Sequence, residues 1–201
     1  MKLTKNELRL QQIRLTQLQK YLPTLQLKKM LFQSEVSMAL QAATQYKLEF
    51  NHQYELVKAY SPLLSSPEAF DLFPALKVLE VEVMSENIAG VDLPVFMNVI
   101  FEESKAFLFD APIWLHSAMK GMRALLLIKE KMRIAEKRKQ LLEQELKEVS
   151  TRVNLFEKIL IPRAQDHIRK IKIFLGDQQL AAICQAKVAK AKILEKEKET
   201  L

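Results

Sequence analysis

The sequence predicts a mainly α fold: a long antiparallel two-helix coiled coil of the N- and C-terminal helices, with a short middle segment containing a β-hairpin and short helices. Three observations carry this expectation. Only three glycines, Gly90, Gly121 and Gly176, occur in 201 residues, so few positions invite a break. Apolar residues recur by threes and fours along both ends of the chain, the period of a helix seam. The middle abandons that spacing and alternates by two.

The expected organisation is one elongated unit: residues 1–60 as an N-terminal coiled-coil helix, 61–111 as an acidic middle with a hairpin at about 77–101, and 112–201 as a C-terminal coiled-coil helix with a basic tail. The first arm opens on Thr4-Lys5-Asn6-Glu7, a capping-box pattern. Leu8, Leu15, Leu22, Val36, Ala43 and Phe50 follow in one register, interrupted by Lys29. Leu18, Leu25, Phe32, Ala39 and Tyr46 fall three residues later, on the same seam. Ser61-Pro62 and Ser65-Ser66-Pro67 should end the helix near Ala59. Such a helix would span roughly 80 Å at ~1.5 Å per residue. Pro23 lies off the seam and is expected to bend the helix or split it in two.

In the middle, Lys77–Val83 alternates as a half-buried strand does. Glu86–Val91 supplies a turn, and Val95–Phe101 reads as a second strand entered through Pro94. The return helix should start at Ala111-Pro112-Ile113, since proline suits a first turn. Its seam is Ile128, Met132, Ala135, Leu142, Leu146, Val149, Val153, Phe156 and Leu160, with Lys139 interrupting. Beyond Pro162 the stripe moves by one position, to Ala164, Ile168, Ile171 and Leu175, which predicts a local kink or register change. The Lys/Glu-rich end is expected to be a solvated, frayed helix. Neither apolar stripe can stay in water, and pairing them buries both.

Charge is uneven. Residues 1–60 hold 9 basic and 4 acidic side chains, 61–122 hold 3 and 9, and 123–201 hold 19 and 11. Two basic arms around an acidic middle suggest an acidic partner surface, nucleic acid or anionic lipid, and charge alone does not choose among them. Nucleic acid is disfavoured, because no aromatics interleave the basic residues. No apolar stretch approaches the ~20 residues of a spanning helix, and no signal peptide is expected, since Met1-Lys2-Leu3-Thr4-Lys5 lacks the apolar core of one. One cysteine, Cys184, excludes an internal disulfide and is expected to be a buried, inert thiol. His52, His116 and His167 lack metal-ligand spacing. His116 and Ser117, adjacent on a helix, do not face each other as base and nucleophile would. No phosphate-binding glycine loop occurs. We therefore expect no enzyme active site, no cofactor and no metal.

One stretch is more specific. Arg152-Val153-Asn154, Glu157 and Ile161-Pro162 resemble the Arg-Val-Asn-x-x-Glu-x-x-x-Ile-Pro segment of the D subunit of V-type and archaeal-type rotary ATPases. Glu86-Asn87-Ile88-Ala89-Gly90-Val91 with Pro94 is similar to that family's glycine-bearing hairpin tip. The likeness spans nearly the whole chain. The N-terminal arm departs in its glutamines (Gln11, Gln12, Gln17, Gln19) and in Pro23. The resemblance implies a non-catalytic central axle inside a ring of A and B subunits, coupling ATP hydrolysis or synthesis to ion translocation. The implied partners are the A and B subunits, the F subunit and the C (or d) subunit that links to the membrane ring, with no nucleic acid and no direct membrane insertion. The implied location is cytoplasmic, peripheral to the membrane. Expected partner-binding residues are Arg152, Asn154, Glu157, Pro162, Arg163, Arg169 and Lys170, with Glu86, Asn87, Ala89 and Gly90 at the hairpin tip. Rival readings are the gamma subunit of F-type synthases, whose insert is larger, and a cytoplasmic coiled-coil adaptor or export-apparatus stalk.

Overall fold

The computed structural model describes residues 2–65, 76–102 and 113–199. Helix α1 (Lys5–Ala59) starts on the Thr4 half of the capping pattern: the Thr4 hydroxyl accepts the Glu7 N–H at 3.3 Å, and the Thr4 carbonyl accepts the Leu8 N–H at 3.0 Å. The Glu7 carboxylate accepts from the Gln11 amide at 2.9 Å. Every seam residue of α1, from Leu8 to Phe50, is half-buried or buried, and Phe32 is wholly inaccessible.

Of the bend or split expected at Pro23, the split does not occur; α1 runs through it. Proline removes one N–H and crowds the carbonyl four residues back, that of Gln19. Both residues are on the exposed face, so water can solvate the orphaned carbonyl. The helix ends at Ala59, and a 3-10 turn (Ser61–Ser65) follows, its Leu63 N–H donating to the Tyr60 carbonyl at 3.0 Å. Ser61 precedes Pro62, which disfavours further α geometry. Ser66 and Pro67 lie outside the described residues, as do Ala111 and Pro112.

Strands β1 (Val78–Ile88) and β2 (Val91–Phe101) form an antiparallel hairpin, longer on both sides than the sequence suggested. Its turn is only Ala89-Gly90, both at positive φ (51° and 85°), the signature of a type I′ turn. Asn87 holds it: its Oδ1 accepts the Gly90 N–H at 3.0 Å, and its amide donates to Asp92 at 2.7 Å. Pro94 sits inside β2, opposite Ser85, which a two-stranded sheet tolerates because each strand has one unpaired edge. Burial in β1 does not follow period two. Register shifts between Val78 and Glu80 and between Glu82 and Val83 make Leu79 and Met97 the extra residues, and bulges reset the alternation.

The return arm is α2 (Ile113–Leu155), a π turn (Phe156–Leu160) and α3 (Ile161–Glu199). The Ile161 N–H donates to the Phe156 carbonyl, five residues back. A π turn adds one residue to the helix. That insertion is the physical origin of the one-position shift in the stripe. Val149 and Val153 are buried before it, Ala164 and Ile171 after it.

The chain divides into two compact units: Met1–Leu27 with Val149–Leu201, and Lys28–Glu148. In the first, the core is Val149, Val153, Ala164 and Ile171. Gln11 and Arg14 of α1 stand beside Leu160, Arg163, Ala164 and His167. In the second, Glu35 meets Arg138 while the Gln53 amide donates to the Gly121 carbonyl at 3.3 Å. As α1 advances α2 retreats, so the pair is antiparallel there. Leu115 and Ala118 pack with Tyr60, Leu64, Leu76, Trp114 and Met119.

α3 is helical to Glu199 and solvated along its end, as expected. One expectation there is corrected. Cys184 is exposed rather than buried, because every described side chain of 176–194 faces solvent. The seam continues only as far as Leu175.

Candidate functional site

α2 carries a second stripe, distinct from its seam: Arg123, Leu127, Lys131, Ile134 and Arg138. Steps of four, four, three and four put these residues on one face. That face holds the hairpin. The Arg123 guanidinium lies 5.1 Å from the Phe101 ring centre and donates to the Glu102 carbonyl at 3.2 Å. Lys131 Nζ stands 5.5 Å from the Phe96 ring centre. Arg138 Nη1 pairs with Glu86 at 2.9 Å and Nη2 reaches Glu35 of α1 at 3.8 Å. Three cations thus strap the hairpin at its base, middle and tip, two over aromatic faces and one through a carboxylate.

Between the straps the packing is apolar. Leu93, opposite Glu86, is wholly buried, and Val99 and Ile134 nearly so. Met38, Ala39, Ala42 and Tyr46 of α1 face Pro94–Met97 of β2 across a groove whose α2 side carries Lys131, Ile134, Ala135 and Arg138. Sequence reasoning missed this stripe because it sought one seam per helix. The signal was present in the basic residues 123, 131 and 138, spaced eight and seven apart around apolar 127 and 134.

The tip residues Glu86, Asn87, Ala89 and Gly90 are brought together by the turn, all exposed, with Glu86 tied back to Arg138. The other expected residues lie on the return arm of the other unit. Arg152 and Asn154 end α2, Glu157 lies in the π turn, and Pro162, Arg163, Arg169 and Lys170 are on α3; all seven are exposed. Arg163 and Lys170, seven residues apart, share a face; Arg163 also lies beside Arg14 and His167, concentrating positive charge there.

Near the open end of the hairpin unit, Tyr60 is confined. Its hydroxyl is buried without a hydrogen-bond partner among the described residues, and burial pushes its pKa above the usual value of 10.0. A Cβ on Gly121 would collide with that hydroxyl and come within 3.3 Å of Cζ. Glycine therefore lets α2 approach the Tyr60 ring closely. Among the described residues no group of three or more His, Cys, Asp or Glu side chains is placed to hold a metal, and no helix is long and apolar enough to cross a membrane.

These features define a class: proteins of two long helical arms, paired through apolar seams, with a hairpin inserted between them in sequence and strapped to the return arm. The family model for the ATP synthase D subunit matches residues 7–191. The V-type ATP synthase D subunit of Chlamydia caviae is 40% identical over 200 residues, covering 99% of this chain and 96% of that protein. The Chlamydia abortus protein of the same name is 39% identical over the same shares, and that of Chlamydia trachomatis 40% identical over 195 residues. The chain belongs to the ATP synthase D-subunit family. It is part of a V-type rotary ATPase, and so one component of a multi-subunit complex.

Proposed function

We propose that this chain is the central axle of its complex, a non-catalytic rotor that couples ATP turnover in an A–B hexamer to ion translocation across a membrane. The observation that carries the reading is the pair of long arms. α1 is a single helix of 55 residues, and the return arm stays helical through α2, the π turn and α3. A shaft that transmits torque needs a continuous backbone and a packed seam more than a globular core. A single asymmetric shaft inside a ring of equivalent sites presents a different surface to each. Rotation then shifts the population of conformers at each site in turn.

The basic side chains of the return arm, Arg152, Arg163, Arg169 and Lys170, would face acidic loops of the hexamer, with Asn154, Glu157 and Pro162 between them. The hairpin tip, Glu86, Asn87, Ala89 and Gly90, would face the F subunit, and the adjoining part of the chain the C (or d) subunit that links to the membrane ring. Exposure of all these residues supports the assignment. The complex would work at the cytoplasmic face of the membrane.

The test is assembly. The protein is mixed with the A–B hexamer of a matching V-type ATPase, with and without the F subunit, and followed by native mass spectrometry. One copy per hexamer, with the F subunit joining only when this chain is present, is the expected result. No binding, or several copies per hexamer, overturns the axle.

A further inference from the structure

The two strands of the hairpin are treated differently. β2 lies against the helices: Pro94–Met97 line the groove with α1 and α2, and Leu93 and Val99 are buried. β1 is exposed along most of its length, from Leu79 to Glu80 and from Glu82 to Asn87. Among the described residues the sheet has two strands, so β1 has one edge with no neighbour.

Exposed edges are normally blunted by proline, by charge (lysine above all), by bulges or by brevity. β1 has no proline, no lysine and no brevity; its bulge lies at Leu79, near its start, and its charges are all glutamates. It is 11 residues long and contains no proline and no Lys or Arg. It also exposes large apolar side chains: Leu79 at 58%, Val83 at 47% and Met84 at 57%. Met97 and Ile100 of β2 add to the patch. An apolar edge of this kind is a template for a further strand.

Charge decides which strand. β1 carries Glu80, Glu82 and Glu86. Glu86 is held by Arg138, but no cation of the described residues pairs with Glu80 or Glu82. A second copy of β1 laid along the same edge would set glutamate against glutamate, which costs rather than gains. A strand carrying Lys or Arg beside its apolar residues would gain on both counts.

We propose that the free edge of β1 is a docking site for a basic, extended segment of another subunit, which adds to the hairpin as a third strand. Main-chain hydrogen bonds fix its direction, Glu80 and Glu82 select its charge, and Leu79, Val83 and Met84 cover its apolar side chains. The inference rests on the chain being one component of a larger complex. It does not depend on the axle reading, whose copy number per hexamer is read separately.

The test is hydrogen exchange by mass spectrometry on peptides within residues 79–88. The isolated chain is compared with the chain inside the purified native complex, for wild type and for Glu80→Lys/Glu82→Lys. The wild-type amides should exchange at least about tenfold more slowly in the complex. In the double variant that protection should be lost while α1 and α2 exchange as before. If instead the variant keeps its helical circular dichroism but no longer enters the complex, the charges are needed for docking, which also supports the site. Equal exchange of wild-type β1 in the isolated chain and in the complex overturns the proposal. So does protection that survives both substitutions, since the added strand would then not be selected by charge.

Discussion

Deletion of one residue, combined with replacement of Pro162, should be nearly harmless at one place in the return arm, whereas a single deletion a few residues away should be severe. The π turn at Phe156–Leu160 contains one residue more than an α-helix needs, and the buried stripe moves by one across it, from Val149 and Val153 to Ala164 and Ile171. Removing Glu157, whose side chain is exposed, turns the segment into uninterrupted α-helix and leaves Ala164, Ile168, Ile171 and Leu175 on the seam. Removing Gln165, also exposed, has no spare residue to consume. It rotates everything downstream by about 100° and carries Ile171, which is wholly buried, into water together with the half-buried Ile168 and Leu175.

The magnitudes separate the two. Exposing one fully buried Ile and two half-buried apolar side chains costs about 3–6 kcal/mol, a large share of the ~5–15 kcal/mol that holds a typical domain together. Deleting Glu157 moves no seam residue off its face. It does leave Pro162 in a regular helix, where the ring crowds the carbonyl four residues back at a cost of about 3 kcal/mol. The double variant lacking Glu157 and carrying Pro162→Ala removes that cost and should fall within about 1 kcal/mol of wild type. Both deletions shorten the helix by one residue, so the axial displacement is common to them and cancels in the comparison. Urea denaturation followed by circular dichroism reads the difference. Equal destabilisation by the Gln165 deletion and by the Glu157 deletion with Pro162→Ala would show that the π turn does not set the register.

Four further outcomes follow from the hairpin unit. Gly121→Ala should destabilise by about 1–3 kcal/mol through overpacking against Tyr60, and Tyr60→Phe in the same chain should recover part of the loss in a double-mutant cycle by thermal melting. Tyr60→Phe also bears on pH. The fold holds the Tyr60 phenol neutral above its usual pKa of 10.0, so the folded chain binds the extra proton. That contribution is complete below pH 10 and declines as pH rises through the folded value, and melts above that range should show the decline in wild type but not in the phenylalanine variant. Ala89→Asn should stabilise by about 0.5–1 kcal/mol, because asparagine tolerates the positive φ that alanine is forced into there, and hydrogen exchange of the turn should slow. Arg138→Glu sets a third carboxylate beside Glu86 and Glu35 at a site where Arg138 is only 24% exposed, so it should cost more than the ~1 kcal/mol of an exposed pair and speed exchange of residues 84–93 in particular, and adding Glu86→Arg should restore part of it.

The seams were legible because a helix that pairs over many turns repeats its apolar residues at a fixed period, and Leu8 to Phe50 do so almost without exception. The register change was legible in the same way, since Arg163 and His167 could not continue a stripe that Ala164 and Ile168 could. Its cause was not, because a π turn has no residue signature beyond the proline that tolerates it. The hairpin was legible as a hairpin, but its strands were cut short by rules that read Pro94 as a boundary; with a single neighbouring strand, an unpaired edge was available to take it. Burial along β1 was misjudged for a related reason: period two signals a covered face only where the ladder is regular, and Leu79 and Met97 break it. Cys184 followed the general habit of cysteines until the seam ran out at Leu175.

The strap was the largest omission, and its lesson is specific. A basic residue among apolar ones was read as an interruption or as surface charge, whereas Arg123, Lys131 and Arg138 face aromatic rings and carboxylates of an element that precedes them in sequence. Long side chains can cover apolar surface while keeping their charge at the rim. The acidic hairpin and the basic return arm are therefore two halves of one contact, and the charge imbalance between middle and ends is partly satisfied inside the chain. Among the described charged residues that no ion pair within the chain compensates are Glu80 and Glu82 on β1 in one unit, and the exposed Arg163, Arg169 and Lys170 of α3 in the other. Those residues, rather than the net charge, are where the other components of the complex are expected to make contact.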